Sequence, residues 1–169
     1  TMADAERVIR DLASQGNKII FATSFEFMNP ALKVAKEFPD VKFEHCTGYK
    51  TADNFSYYNA RFYQARYLAG KLAASMSKDG HLGYVAAVPI PEVLQGINAY
   101  TLGAQTINPN VKVDVVWTNT WYDPGKEADA TNTLIGQGCD IITHHTNSQA
   151  VASTAESKGG KGISYNSPM

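Results

Sequence analysis

The sequence predicts an α/β protein built on parallel sheets, and three observations carry that expectation. Short apolar runs alternate with amphipathic stretches from one end of the chain to the other. Glycine or proline marks the junctions: Gly16, Pro39, Gly80, Gly136, Gly138, Gly159 and Gly160 stand where one pattern yields to the next. The 169 residues are 44% hydrophobic and only 18% charged, enough to bury an ordinary core. Strands alternating with helices imply βαβ units, whose strands run parallel.

The elements follow in order. Residues 5–14 place Val8, Ile9, Leu12 and Ala13 on one helical face, and Gly16 stops the helix. Residues 18–23 (KIIFAT) form an apolar run short enough for a buried strand. Asn29 is expected to cap the next helix, with Pro30 at its first position, and that helix runs to about Phe38. Residues 41–47 (VKFEHCT) alternate and read as a strand. Residues 48–54 are polar and irregular, the best linker candidate. A long helix is expected over 57–77, with most of Tyr57, Tyr58, Phe62, Tyr63 and Tyr67 in the core. Then come strand 81–88, helix 92–107, strand 112–118, helix 126–136, strand 140–144, helix 149–158 and strand 162–165. About two strands precede the linker and four follow it, giving two unequal blocks. The opening helix without a preceding strand, and the stop just after a strand, read as a segment of a longer α/β protein.

Charge and composition exclude several function classes. With 15 basic and 16 acidic residues the formal charge is −1, which argues against a dedicated nucleic-acid binder or a polybasic membrane-surface protein. No apolar run approaches the ~20 residues that span a bilayer. Cys46 and Cys139 have neither the number of a disulfide framework nor the spacing of a metal site, and read as small buried residues on or beside strands. His45 and His81 read as structural. His144 and His145 are neighbours near a strand end, so their side chains face opposite ways and make a poor chelate. There is no P-loop, no G-x-G-x-x-G fingerprint and no G-x-S-x-G elbow. Gly159-Gly160-Lys161-Gly162 precedes a strand and is a helix stop. The expectation is no cofactor, no metal and no catalytic residue.

In open α/β sheets, ligands sit beyond the carboxyl ends of the strands. The loops there carry Ser24, Phe25 and Glu26; Gly48, Tyr49 and Lys50; Pro89 to Glu92; Trp121, Tyr122 and Asp123; His145, Thr146 and Asn147; and Asn166. Aromatics, amides and hydroxyls recur in them, a mix that suits stacking on a flat ring and hydrogen bonding to its edge. Glu26 and Asp123 are open to two roles: acid–base or ligand contacts, or helix capping, for which Asp123 before Pro124-Gly125 is well placed. Asn54-Phe55-Ser56 matches a glycosylation sequon, a short pattern.

Four segments in order, 29–43 (NPALKVAKEFPDVKF), 67–70 (YLAG), 121–127 (WYDPGKE) and 138–142 (GCDII), resemble the BMP (basic membrane protein) family of purine nucleoside or nucleobase substrate-binding proteins of ABC transporters. The resemblance covers the whole chain. It implies a type I periplasmic-binding-protein fold of two α/β lobes, truncated here at both ends, with residues 1–50 part of the first lobe and 51–169 most of the second. It places an aromatic for purine stacking on Trp121, the second-lobe loop on His145, Thr146 and Asn147, and the first-lobe loop on Ser24, Phe25 and Glu26. Where the family carries an Asp for ribose hydroxyls this sequence has Asn166, and Thr47 stands at another acidic position. Those departures leave room for a free nucleobase such as adenine beside a nucleoside. The implied protein is a non-enzymatic binder that closes on its ligand in an interlobe cleft and delivers it to an ABC permease. It would be periplasmic or membrane-anchored outside the cytoplasm. The alternatives are an α/β enzyme acting on a nucleoside or sugar, with Glu26 or Asp123 as base, and the ligand-sensing domain of a regulator.

Overall fold

The computed structural model describes residues 2–165, which fall into two compact units, Thr1–Ala60 and Arg61–Met169. The first contains α1 (Met2–Ser14), β1 (Ile19–Ala22), a 3₁₀ turn (Phe25–Phe27), α2 (Met28–Glu37), β2 (Lys42–Cys46) and β3 (Phe55–Tyr58). Its three strands are parallel in the order β1-β2-β3, with Ile20, Phe43 and Phe55 in register across them. Alternation along each strand sends these residues and Ala22 to one face. There they pack with Ile9 and Ala13 of α1 and Ala31 and Val34 of α2.

Two expectations for this unit change. Asn29 does not cap α2: the helix starts at Met28 with Phe27 as its N-cap, and the Asn29 Oδ1 accepts from Lys50 Nζ at 2.8 Å. Residues 55–58 form a third strand rather than leading into a helix, and the next helix begins at Phe62. Parallel strands usually need a crossover of a dozen residues or more, most often helical, so a strand right after irregular 47–54 breaks the alternation rule. Asn54 makes it work: its Nδ2 lies 2.9 Å from the carbonyl oxygens of Ala35, Phe38 and Val41, pinning the returning chain beside β2. The same bonds engage the amide that a sequon would present. The units divide after Ala60, ten residues beyond the expected boundary at residue 50.

The second unit contains α3 (Phe62–Met76), β4 (His81–Ala86), α4 (Pro91–Gln105), β5 (Lys112–Trp117), α5 (Pro124–Gly136), β6 (Ile141–His145), α6 (Ala150–Ser157) and β7 (Lys161–Ile163). Its four strands are parallel in the order β5-β4-β6-β7. The central strands are buried on both faces, which is why they read as continuous apolar runs. Leu82, Tyr84 and Ala86 pack with Ala73 of α3 and Val93, Tyr100 and Ala104 of α4. Val85 and Ile142 pack with Ala130 and Leu134 of α5 and Val151 and Ala155 of α6.

Helices α3 and α4 meet at two glycines. A Cβ on Gly70 would lie 1.9 Å from the Tyr100 carbonyl oxygen, and one on Gly103 would lie 2.0 Å from that of Tyr67. Only a residue without a side chain lets the backbones approach so closely. Gly70, Ala73 and Ala74 keep the buried face of α3 small, and Arg66 is buried on the same helix. The aromatic cluster expected in the core stays outside it: Phe62, Tyr63 and Tyr67 are half-buried, and Tyr57 and Tyr58 are exposed strand residues.

Candidate functional site

At the carboxyl edge of the second unit's sheet, register aligns Trp117 and His145 with Ala86, so the loops after β4, β5 and β6 begin side by side. The chain after β5 turns at Thr118, whose hydroxyl donates to the Thr120 carbonyl at 2.8 Å, and passes through Asn119 at a φ of 55°. The Asn147 amide then donates to the Trp121 carbonyl at 2.8 Å, tying the loop after β6 to the loop after β5. Trp121, His145 and Asn147 are thus brought together.

His144 and His145 take opposite faces. The His145 ring lies 4.2 Å from that of Tyr165 and 6.0 Å from that of Trp121. Beyond Tyr165 stands Arg66, its guanidinium carbon 4.5 Å from the tyrosine ring centre. Trp121, His145, Tyr165 and Arg66 form a ladder of planar groups across the strand ends. Arg66 is buried, and it donates to the His144 carbonyl at 2.8 Å and to Thr143 Oγ1 at 3.3 Å. Glu92, at the start of α4, places its Oε1 3.7 Å from His145 Nε2. Burial pushes the Glu92 carboxyl above its usual range and holds the His145 imidazole down at about 3. The ladder therefore presents a neutral imidazole at physiological pH.

The other face is organised by Glu127, fully buried on α5. One carboxylate oxygen accepts from Thr146 Oγ1 at 2.8 Å and Ser148 Oγ at 2.7 Å, and the other accepts from the Asp123 amide at 3.1 Å. Asp123 in turn accepts from the Lys126 amide at 3.1 Å, the capping role the sequence allowed it. Because the Thr146 proton goes to Glu127, the 3.1 Å contact between Thr146 Oγ1 and His144 Nδ1 requires the proton on Nδ1. Burial lowers the His144 pKa to about 4. Asp123 and Thr146 are thus occupied in holding the two loops, whereas the Tyr122 and Asn147 side chains face solvent.

In the first unit, Ser24, Phe25 and Glu26 follow β1 at its carboxyl end. The Ser24 carbonyl accepts from His45 Nε2 at 2.8 Å, Phe25 packs 6.4 Å from Tyr49, and Glu26 is exposed. Thr47, directly after β2, has a φ of 67°, a region costly for a β-branched residue. With Asn119 it makes the non-glycine residues of positive φ among those described, and both follow strand ends where ligand loops belong. Asn166 lies outside the described residues. Sequence reasoning missed Arg66 and Tyr165. Arg66 sits in a helix whose Ala and Tyr content masked it, and Tyr165 was counted as the end of a strand.

Residues 1–169 match the family described as Bmp, ABC transporter substrate-binding protein PnrA-like. The chain is 60% identical over 167 residues to the purine-binding protein of Brucella abortus (strain 2308), covering 99% of this chain and 48% of that protein. It is 42% identical over 167 residues to a Haloferax volcanii protein provisionally named an ABC transporter glucose-binding protein, covering 99% and 43%. The chain spans about half the length of these curated relatives. Among solved structures, an ABC transporter solute-binding protein from Aeropyrum pernix K1 superposes with a TM-score of 0.80 at 22% identity, over 97% of this chain and 50% of that one. The architecture is that of type I periplasmic solute-binding proteins.

Proposed function

Because the chain belongs to the Bmp family of PnrA-like ABC transporter substrate-binding proteins, we propose that it helps bind a purine, as free nucleobase or nucleoside, for delivery to an ABC permease outside the cytoplasm. The observation that carries this reading is the 60% identity, over 167 residues, to a protein named purine-binding. The ladder of Trp121, His145 and Tyr165 supports it chemically. Flat, neutral side chains at the ends of parallel strands suit an uncharged flat ligand, and stacking on an indole contributes about 0.5–1.5 kcal/mol beyond burial.

In this reading Trp121 and Tyr122 offer stacking surfaces. The Asn147 amide and the Glu92 carboxyl meet the N–H and carbonyl edges of a base. Ser24, Phe25 and Glu26 offer ligand contacts on the first unit, and Asn166 an amide for a ribose or base edge. Asp123, Thr146 and Glu127 fix the loops, and His145 packs beside Trp121 at a ring separation of 6.0 Å. Among the described residues no helix is long and apolar enough to cross a membrane. A hexose is the second reading, favoured by the 42% identity to a relative whose name carries glucose binding. A sugar ring also stacks its C–H face on an indole.

Thermal shift of the full-length protein against adenine, guanine, adenosine, guanosine and glucose separates these readings. A rise with a purine and none with glucose is expected; a rise with glucose alone replaces purine by hexose. Trp121→Ala should weaken purine binding by at least ~1 kcal/mol, read by calorimetric titration. Unchanged affinity would make Trp121 a purely structural residue. Adenosine recovered intact after incubation is the expected result for a binder; release of free adenine would make the protein an enzyme.

A further inference from the structure

At the opposite edge of the second unit's sheet, far along the strands from the ladder, three side chains converge that the sequence kept apart. His81 opens β4, Asp114 is the third residue of β5, and Cys139 lies just before β6. Register pairs His81 with Lys112, so Asp114, two residues further, shares the face of His81. The Asp140 amide donates to the His81 carbonyl at 3.1 Å, which sets Cys139 beside them. One donor atom from each of His81, Asp114 and Cys139 lies within 4.8 Å of the other two.

We propose that His81, Asp114 and Cys139 form a binding site for a divalent cation of the zinc class. An imidazole nitrogen, a carboxylate oxygen and a sulfur are the donors Zn²⁺ takes, at about 2.0–2.3 Å each, and three protein ligands leave a fourth position to water. Such bonds put donors about 3.3–3.8 Å apart in a tetrahedron. His81 Nε2 and Asp114 Oδ2, at 2.7 Å, must open slightly, and the sulfur must close. The site is reachable: the His81 and Asp114 side chains are 17% and 22% exposed, while Cys139 forms its buried floor. Lys112 competes, since its Nζ lies 3.2 Å from the same Asp114 oxygen. That side chain is 65% exposed, so it can swing into solvent to admit the cation, a competition that its removal relieves. Sequence spacing hid the cluster because its members come from three segments, brought together only by parallel pairing.

Cobalt is the probe, because it occupies zinc sites and colours them. Titrating Co²⁺ into the reduced, untagged full chain should give one equivalent with tetrahedral visible bands and a near-ultraviolet sulfur-to-cobalt band. Cys139→Ser should abolish the sulfur band and Cys46→Ser should leave it. His81→Asn should weaken binding at least ~10-fold. Lys112→Met, on an exposed side chain away from the core, should tighten it. No sulfur band in the native chain, or a band lost with Cys46→Ser and kept in Cys139→Ser, overturns the proposal. If Cys139→Ser does not fold, Lys112→Met decides: tighter Co²⁺ binding supports the site, and unchanged affinity overturns it.

Discussion

In the second unit, β4 and β6 lie inside a four-stranded sheet with helices on both faces, and Leu82, Val85, Ala86 and Ile142 see no solvent. In the first unit, β1 is an edge strand whose Ile19 and Phe21 are 50% and 58% exposed. Phe21 meets Tyr58 edge-on across the uncovered face, and beside it runs an apolar groove of 530 Å³ lined by Val8, Leu12 and Phe21 among others. The helix pairs differ in kind as well. Helices α1 and α2 are joined by solvent-exposed ion pairs, Arg10 to Glu37 at 2.8 Å and Lys33 to Glu6 at 2.9 Å. Helices α3 and α4 touch backbone to backbone at Gly70 and Gly103. The contrast shows where fixed geometry resides. The unit with two covered faces also has the buried polar framework of Arg66, Glu127, His144 and His145 that fixes the loops.

Acid breaks that contrast most severely. His144 and His145 have folded-state pKa values of about 4 and about 3, held down by burial. The unfolded state, near 6.5, takes up protons first, so stability is full above about pH 6.5 and falls as pH drops to 4. The expected loss by pH 4 is on the order of 3 kcal/mol per imidazole. In the first unit His45, its one histidine, shifts in the same direction, also by burial, and the lowered Glu6 and Glu37 carboxyls are open to solvent. Trp117 and Trp121, the two tryptophans of the chain, are both in the second unit, so indole fluorescence follows that unit. Denaturant midpoints by fluorescence should fall steeply between pH 6.5 and 4, and amide exchange in the first unit should change less. Equal acid sensitivity would erase the distinction.

Glu127→Ala comes next. It leaves the Thr146 and Ser148 hydroxyls and the Asp123 amide without their acceptor, at about 3 kcal/mol. Chemical denaturation measures the cost. Loss of purine affinity alongside it, larger than for a Thr146→Val variant, would show that the carboxylate organises both loops.

The helix pairs give the smaller effects. Gly103→Ala forces α4 away from the Tyr67 carbonyl and should cost about 1–3 kcal/mol. Arg10→Met should change the melting temperature least of all, and that change should vanish at high salt because both partners are exposed. A larger effect at Arg10 than at Gly103 would reverse the ranking of the two units.

Much of this was legible in residues. Apolar periodicity and glycine stops located every helix and every strand but one, and Asp123 before Pro124-Gly125 announced its cap. The missed strand, β3, has no helix before it and depends on Asn54 reaching three carbonyls of an earlier segment. The candidate site was legible only as loops. Trp121 and His145 stood out as aromatic and basic residues at strand ends. Arg66 was hidden in a helix, and Thr146 looked like a ligand contact until its hydroxyl proved committed to Glu127.

The sequence by itself determined the α/β alternation, the parallel sheets and the family, because these rest on local periodicity and on motifs read in order. Tertiary structure alone decided which polar side chains are spent on one another and which remain for a ligand. Glu127 lies 19 residues from Thr146, His81 lies 33 from Asp114, and Arg66 lies 78 from His144. Parallel pairing brings such distant segments to one edge of a sheet, and no local pattern encodes that distance.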